Sequence, residues 1–321
     1  EANVHKVEKP AITPVVMNKE DISEFKKKWD GIEEKDVAPK FIDFNEDILR
    51  TKLGKTAVPF DYIKNEVNKT FNLNYIYDMG TDHIRELGLA AGYLEYLGTD
   101  KYTAEQLKTE FYKLGLSFSV TASRDRVQIV LSGLEENLDK GVALLEHLLA
   151  NVKPNQEVYN TMVDDILQSR LNAKKNKNAI LYSGLVNYAK HGSVNPFNDV
   201  LSEDELKKMN IQTLVALIKS LNTYKHKVFY YGNLGREDAG NIIGKHHIVK
   251  GTLKDYPAKK TYKELPIKEN EVLVCYYPMK QAEVVLLAKD ETFNRSLMPF
   301  IYLYNDYYGS GLSSIMFQEI R

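Results

Sequence analysis

The stretch that decides the fold is residues 84–97, IRELGLAAGYLEYL. Apolar residues recur in it every three or four positions, which is the spacing of the buried stripe of an amphipathic helix. That stripe consists of Ile84, Leu87, Ala91 and Leu94. Gly92, Glu95 and Tyr96 stand at positions i, i+3 and i+4, so they share one flank of the helix. We therefore expect a helix over residues 84–97 that presents these three residues side by side.

Strands and helices alternate on both sides of this helix. Residues 71–77, FNLNYIY, alternate in polarity as a half-buried strand does, and a glycine turn follows them. The other predicted strands are residues 48–53, 60–64, 117–122, 126–131 and 227–231. The other predicted helices begin at Thr103 or span residues 138–149, 154–173, 178–190 and 213–220. This order predicts an α+β fold in which a mixed, largely antiparallel sheet is covered by helices.

The pattern also predicts how the chain divides. Residues 1–40 are an extended lead-in or linker, and residues 41–245 form the first α+β domain. Residues 246–266 are polar and contain prolines, which indicates a connector. Residues 267–321 then repeat the opening pattern, with strands over 271–277 and 283–289 and a helix over 294–307. We expect this to be the incomplete start of a second similar domain, and the chain to be truncated at its C-terminus.

Composition limits the possible functions. Lys and Arg number 43 and Asp and Glu 44, so the formal net charge of −1 provides no field that would attract nucleic acid. No apolar run approaches the roughly 18 residues that a membrane-spanning helix needs. The single cysteine, Cys275, lies in a strand-like run, and we expect it to be a small core residue. The chain begins with Glu1, which suggests a processed or excised product and leaves periplasmic, secreted and cytoplasmic locations open.

The arrangement around residues 92–96 resembles that of the pitrilysin/insulysin-type zinc metallopeptidases, the inverzincin family with a His-x-x-Glu-His motif on a helix. In that family the two histidines bind zinc, and the glutamate is the general base for the metal-bound water. At the matching positions this chain keeps Glu95 but has Gly92 and Tyr96 in place of the histidines. Glycine has no ligand atom, and a neutral phenol is a poor zinc ligand. The resemblance implies the fold of LuxS and the processing peptidases, with a motif helix that has lost its metal ligands.

A second resemblance lies in residues 307–321, YYGSGLSSIMFQEIR. In the family an Arg here, followed about two helical turns later by a Tyr, anchors the backbone of a bound peptide. Arg321 matches that Arg, and the position of the Tyr lies beyond it. The resemblance implies that Arg321 binds substrate, because a guanidinium can donate hydrogen bonds to peptide carbonyls. The alternative is an ordinary surface arginine on a helix.

The resemblance implies the catalytically silent C-terminal half, or subunit, of a zinc-dependent peptidase. We expect no catalytic residue, metal ligand or cofactor in this chain, and we expect zinc in a homologous partner half on the same polypeptide or a separate subunit. The chain would form part of a chamber wall that holds peptide substrates, which the family binds as added strands, and it would be inactive alone. The alternative is a non-enzymatic scaffold or binding protein that has the same fold and no role in peptide handling.

Other polar residues are assigned structural roles. Asp164 lies roughly where the family keeps a third zinc ligand, but a surface carboxylate is the better interpretation when both histidines are missing. Glu95 is expected to pair with a neighbouring side chain, because a carboxylate alone activates water poorly. His246 and His247 have no Glu at ligand spacing, and we expect both to be exposed.

Overall fold

The computed structural model describes residues 22–33, 38–39, 41–54, 56–249, 251–289 and 292–320. The chain contains two compact units, Glu1–Asp47 and Ile48–Arg321. In the first unit, helix α1 spans Glu24–Asp30. The Ser23 hydroxyl caps its N-terminus by accepting a hydrogen bond from the Lys26 N–H at 3.2 Å, which satisfies one of the free amides of the first turn.

The second unit is built on one six-stranded sheet. The strands are β1 (Leu49–Lys52), β2 (Pro59–Lys64), β3 (Thr70–Tyr77), β4 (Leu116–Ala122), β5 (Val127–Leu134) and β6 (Lys227–Gly232). Their order in the sheet is β1-β2-β6-β3-β5-β4. β2 and β6 are parallel, and the other neighbouring strands are antiparallel. Strand β6 therefore lies between β2 and β3, which ties together parts of the chain that are far apart in sequence.

The helices of this unit occupy the segments between and after the strands. They are α2 (Leu87–Leu94), α3 (Ala104–Lys113), α4 (Leu138–Asn151), α5 (Gln156–Ala173), α6 (Val186–His191), α7 (Glu203–Lys207), α8 (Ile211–Ser220), α9 (Arg236–His246), α10 (Met298–Tyr308) and α11 (Ile315–Ile320). A π-helical stretch, Ala179–Leu185, leads directly into α6. Among the described residues, no helix combines the length and apolarity that a membrane crossing requires.

The core lies between one face of the sheet and the helices that carry buried apolar residues. Alternate residues of β3 point into it, and Leu73, Tyr75 and Tyr77 are almost completely buried. The matching residues of the neighbouring strands are buried on the same face, and the apolar sides of α2, α4, α8 and α9 pack against them. The predicted α+β class, a mixed sheet covered by helices, is therefore confirmed.

Helix α2 is shorter than the sequence predicts. It spans Leu87–Leu94, whereas the apolar spacing predicts residues 84–97. Before it, the Ile84 N–H bonds to the Gly80 carbonyl at 3.1 Å in a turn. After it, Tyr96 and Leu97 donate to carbonyls three residues back, at 3.1 and 3.2 Å, which tightens the chain out of the α-helical pattern. Periodicity alone could not locate these ends, because turns of this kind keep nearly the same apolar spacing.

The two strands predicted over residues 271–277 and 283–289 are absent: neither segment forms a strand in the described part of the chain. Their apolar side chains are exposed, including Val272, Val274 and Leu286. Cys275 is also exposed, so its expected place in a core is wrong. An apolar alternation forms a strand only where a neighbouring strand accepts its backbone hydrogen bonds, and no described segment does so here. The helix predicted over residues 294–307 is present as α10.

Candidate functional site

The three motif positions lie at the C-terminal end of α2. Gly92 is inside the helix, Glu95 is its C-cap residue with right-handed helical torsions, and Tyr96 follows in the turn. A β-carbon added at Gly92 would meet no atom within 4 Å, so packing does not require glycine there. The positions that bind zinc in the resembled family are therefore accessible here but contain a glycine and a phenol.

Glu95 and Tyr96 are both exposed. The carboxylate of Glu95 has no hydrogen-bond or ion-pair partner among the described residues, so its expected pairing with a neighbour is wrong. The ring of Tyr96 instead lies under the ammonium group of Lys108, whose Nζ is 5.5 Å from the ring centroid. These three positions do not make a zinc site, because glycine and a neutral phenol replace both histidine ligands and the motif glutamate is the general base rather than a ligand. Asp164 is exposed on α5, and no group of three or more metal-binding side chains exists within the described ranges.

Helix α2 is fixed to α5 by Tyr93, a residue that was not predicted to belong to the site. The Tyr93 hydroxyl donates to the carbonyl oxygen of Asn155 and accepts from its N–H, both at 2.7 Å. The Asn155 side chain in turn caps α5 by accepting from the N–H groups of Glu157 and Val158. Burial raises the pKa of Tyr93, and so its hydroxyl stays protonated. The signal for this residue was available, because Tyr93 adjoins the apolar stripe and a buried Tyr needs a partner.

The turn that enters α2 is fixed to the β4–β5 hairpin. Thr81 and Asp82 donate their N–H groups to the carbonyls of Ser123 and Arg124, at 2.9 and 2.8 Å. The Asp82 carboxylate also accepts two hydrogen bonds from the Arg124 guanidinium, both at 3.1 Å. A β-carbon at Gly80 would overlap the Ser123 carbonyl oxygen, so this close approach requires glycine.

Residues of the predicted connector cross the same end of the sheet. The Lys260 N–H donates to the Asp82 carbonyl at 2.7 Å. The Asp199 carboxylate accepts hydrogen bonds from the Lys260 ammonium and the Tyr262 hydroxyl, both at 2.5 Å. These two bonds, that of Lys260 first, lower the pKa of Asp199. Burial and then the Asp199 carboxylate raise the pKa of Tyr262 to about 12. This part of the connector is therefore fixed to the domain by charged hydrogen bonds.

Strand β4 is an edge strand, and α2 packs against it. At one end of the β4–β5 hairpin the Ser123 N–H donates to the Arg126 carbonyl (2.8 Å). At the other end the Leu134 N–H donates to the Gly115 carbonyl (3.2 Å). Because antiparallel pairs alternate, the odd-numbered residues of β4 bond to β5 and the even-numbered ones direct N–H and C=O outward. The outward residues are Leu116, Phe118, Val120 and Ala122.

No other backbone group in the described residues bonds to the outward side of β4. An edge of this kind is a template for an added strand, because its donors and acceptors repeat at the spacing of an extended peptide. Exposed Ser117, Ser119 and Thr121 line one face of the strand, so added segments of varied sequence meet small polar side chains there. The edge of β4 beside α2 is therefore the best-formed candidate for peptide contact in the described structure.

The expected exposure of His246 and His247 is wrong, because His246 is half-buried and His247 is buried. His246 ends α9 and pairs with Asp139 at 2.8 Å, whereas His247 is completely buried. Its partners are His226 and Glu146. The sequence indicated that His226 is buried, because it precedes the inward-facing Val228 by two residues and so lies on the same face of the strand. The predicted substrate-binding residue Arg321 lies outside the described residues, so its role stays a prediction.

No family model matches the sequence, and no curated protein matches it. Solved structures with the same fold include M16 and M16-like peptidases. A protease from Helicobacter pylori has a TM-score of 0.61 and 14% identity, over 85% of this chain and 68% of that one. The peptidase M16 inactive domain from Pseudomonas fluorescens has a TM-score of 0.55 and 15% identity, over 67% and 54%. The ferredoxin protease FusC, solved as a mutant in complex with Arabidopsis ferredoxin, has a TM-score of 0.56 and 15% identity, over 79% and 31%.

This chain therefore spans about a third of the ferredoxin protease and about half of the inactive domain. At 14–15% identity, the similarity to these structures extends only to the fold. The chain has the α+β fold of M16-like peptidase halves, and this set of structural relatives includes an inactive domain.

Proposed function

We propose that this chain is the non-catalytic half of a zinc-dependent peptidase of the inverted-motif family, and that it holds peptides for a zinc-bearing partner half. The observation that carries the proposal is the end of α2. Gly92 and Tyr96 occupy the positions of the zinc ligands, next to Glu95, which has no partner among the described residues. A carboxylate without a metal is a poor activator of water, so this helix lacks the means to hydrolyse a peptide bond. The partner would supply zinc and the general base.

The edge of β4 is the proposed peptide-holding surface. An extended peptide would add to it as a seventh strand and would bond to the outward N–H and C=O groups of Phe118, Val120 and Ala122. Main-chain hydrogen bonds of this kind tolerate many sequences, which suits a peptidase partner that handles a range of peptides. Arg321 is proposed as a second contact with the peptide backbone, as the family resemblance implies.

Peptide binding tests this surface directly. Fluorescently labelled extended peptides should bind the chain, and the same peptides N-methylated at every residue should bind at least about tenfold more weakly, because they have no backbone N–H left to donate to β4 from either edge. Ala122→Pro removes one outward N–H of an edge strand, where proline is tolerated, and should weaken binding. Ala122→Val keeps that N–H and is the matched control.

The same experiment distinguishes a peptide-holding half from a scaffold or binding protein with the same fold. A scaffold that has the fold but no role in peptide handling would bind neither peptide set, and Ala122→Pro would change nothing. Equal binding of N-methylated and unmodified peptides would place recognition elsewhere than the β4 edge.

A further inference from the structure

A buried polar cluster lies on the helix-covered face of the sheet. It joins Glu146 of α4, His226 just before β6 and His247 directly after α9. His247 is 0% and His226 4% exposed. None of these residues belongs to α2 or to β4, so the proposed handling of peptides does not use them.

The hydrogen bonds fix where the protons are. His226 Nδ1 lies 2.7 Å from the Tyr224 carbonyl oxygen, which can only accept, so His226 carries a proton on Nδ1. His226 Nε2 lies 2.8 Å from His247 Nε2, and such a bond needs one donor and one acceptor. A neutral His226 therefore accepts at Nε2, and His247 donates.

The second ring nitrogen of His247 contacts Glu146. Its Nδ1 lies 2.7 Å from Glu146 Oε1. Either a protonated Glu146 donates to a neutral His247, or a doubly protonated His247 donates to the Glu146 carboxylate. In both cases the pair shares one proton and has no net charge, which is the arrangement that a buried site favours. Asn222 donates to the other Glu146 oxygen at 3.3 Å, and the Tyr77 hydroxyl donates to Asn222 at 2.5 Å.

We propose that His226, His247 and Glu146 form an acid-sensitive latch that fastens the C-terminal end of α9, and the connector after it, to the sheet. The site for one further proton is Nε2 of His226, and a proton there would face the N–H of His247. Protonation would thus replace the bond between the two rings with a contact between two donors. The latch holds only while His226 is neutral.

The surroundings of His226 oppose that further proton. The titratable groups that face the cluster are Tyr77, with its ring 5.0 Å from that of His226, and Tyr75, 4.3 Å from that of His247. Burial, together with His247, lowers the pKa of His226 to about 4, although the bond to the Tyr224 carbonyl and the charge of Glu146 act in the opposite direction. Burial and the charge of Glu146 raise the pKa of both tyrosines well above 10, so neither supplies a charge.

The connector is attached beside the latch. The Lys254 N–H donates to the Thr223 carbonyl at 2.8 Å, and the Lys225 N–H donates to the Lys254 carbonyl at 2.9 Å. Both bonds involve residues that lie within three positions before His226 in the sequence. When the latch opens, His226 regains its ordinary affinity for a proton. Between pH 6.5 and 4, each pH unit of acidification therefore raises the population of the open form relative to the closed form by up to about tenfold. Acid would therefore favour the open form, in which the end of α9 is released and the connector is loosened.

Amide hydrogen exchange on the full chain tests this latch. The His247 N–H, bonded to the Ile243 carbonyl at 2.8 Å, is the reporter. Its protection factor, corrected for the intrinsic pH dependence of exchange, should fall about 25-fold from about pH 7.5 to about pH 5. In His226→Gln, which has no ionisable group at this position, the fall should disappear. His147→Gln, on the same helix as Glu146 and bonded to Thr99, should keep the wild-type fall.

Three outcomes would contradict the latch. A protection factor in the wild type that changes by less than about threefold over this range would overturn the latch, whatever the variants do. A fall that persists in His226→Gln, or that is lost in His147→Gln, would assign the proton to another group. If His226→Gln fails to fold, the ¹⁵N shifts of the wild-type imidazoles replace it. The proposal requires His226 to stay neutral and protonated on Nδ1 at about pH 5, and a cationic His226 at that pH would refute it.

Discussion

Replacing Tyr93 with Phe removes the hydroxyl that fixes the motif helix to α5, and this change should destabilise the second unit. The hydroxyl donates to one backbone group of Asn155 and accepts from another, both at 2.7 Å, and Tyr93 itself is completely buried. A buried polar group left without a partner costs about 1–3 kcal/mol. Asn155 is exposed, so water can replace part of what is lost. We expect a loss of about 2 kcal/mol in the free energy of unfolding.

Urea unfolding followed by far-UV circular dichroism measures this loss. Tryptophan fluorescence would not report it, because the single tryptophan, Trp29, lies in the other unit. Tyr159→Phe is the matched control: Tyr159 is also buried and lies edge-on to Tyr93, but its hydroxyl makes one bond, to the Leu206 carbonyl at 2.7 Å. It should cost about 1 kcal/mol. A loss below about 0.5 kcal/mol for Tyr93→Phe, or one no larger than that of Tyr159→Phe, would show that the two hydrogen bonds of Tyr93 do not stabilise the unit as expected.

Three further predictions concern acid, glycine and the motif. Because the folded pKa of His226 is about 4, below the unfolded value near 6.5, the unfolded chain binds more protons between these values. The free energy of unfolding should therefore fall by about 2 kcal/mol from about pH 7.5 to about pH 5 in urea titrations, and a flat profile would contradict the assignment. Gly80→Ala should lower the free energy of unfolding by about 2–3 kcal/mol, because its β-carbon overlaps the Ser123 carbonyl. Gly92→Ala should raise it by roughly 0.5–1 kcal/mol, because alanine favours a helix and the added β-carbon meets no neighbour. Thermal unfolding that ranks the two variants the other way would contradict these contacts. The double variant Gly92→His, Tyr96→His should fold and yet cleave no peptide with zinc added, since it restores the two histidines of the motif but adds no third ligand; measurable hydrolysis would show that a carboxylate such as that of Asp164 completes the site.

The sheet and most of the helices could be predicted from sequence, because their signals are local. Alternation identified β3 and β5, and the capping box at Thr103, in which the Gln106 side chain returns to the backbone, marks the start of α3 as predicted. The strand order could not be predicted, since the place of β6 between β2 and β3 depends on pairing between distant segments. The strands predicted over 271–277 and 283–289 failed for a related reason: alternation describes a face but does not supply a neighbouring strand.

At the candidate site the sequence located the residues but not their partners. The positions of Gly92, Glu95 and Tyr96 at the end of α2 followed from helical spacing, although the helix itself ends at Leu94. The role of Tyr93 depends on Asn155, which is 62 residues away in the sequence. The buried state of His247 likewise depends on Glu146 and His226 from other elements. Contacts of this kind arise from tertiary packing, which a single sequence does not encode locally.

The peptidase activity of the chain on a mixed peptide pool tests whether it is the non-catalytic half of a zinc-dependent peptidase. It should be measured with and without zinc, for the chain alone and after mixing with a zinc-bearing homologous half. We expect the chain alone to cleave nothing and to hold no zinc. We expect the zinc-bearing half to cleave faster in its presence and to stop when a chelator is added. Turnover by the chain alone would contradict the account, because Gly92 and Tyr96 would then not have abolished catalysis.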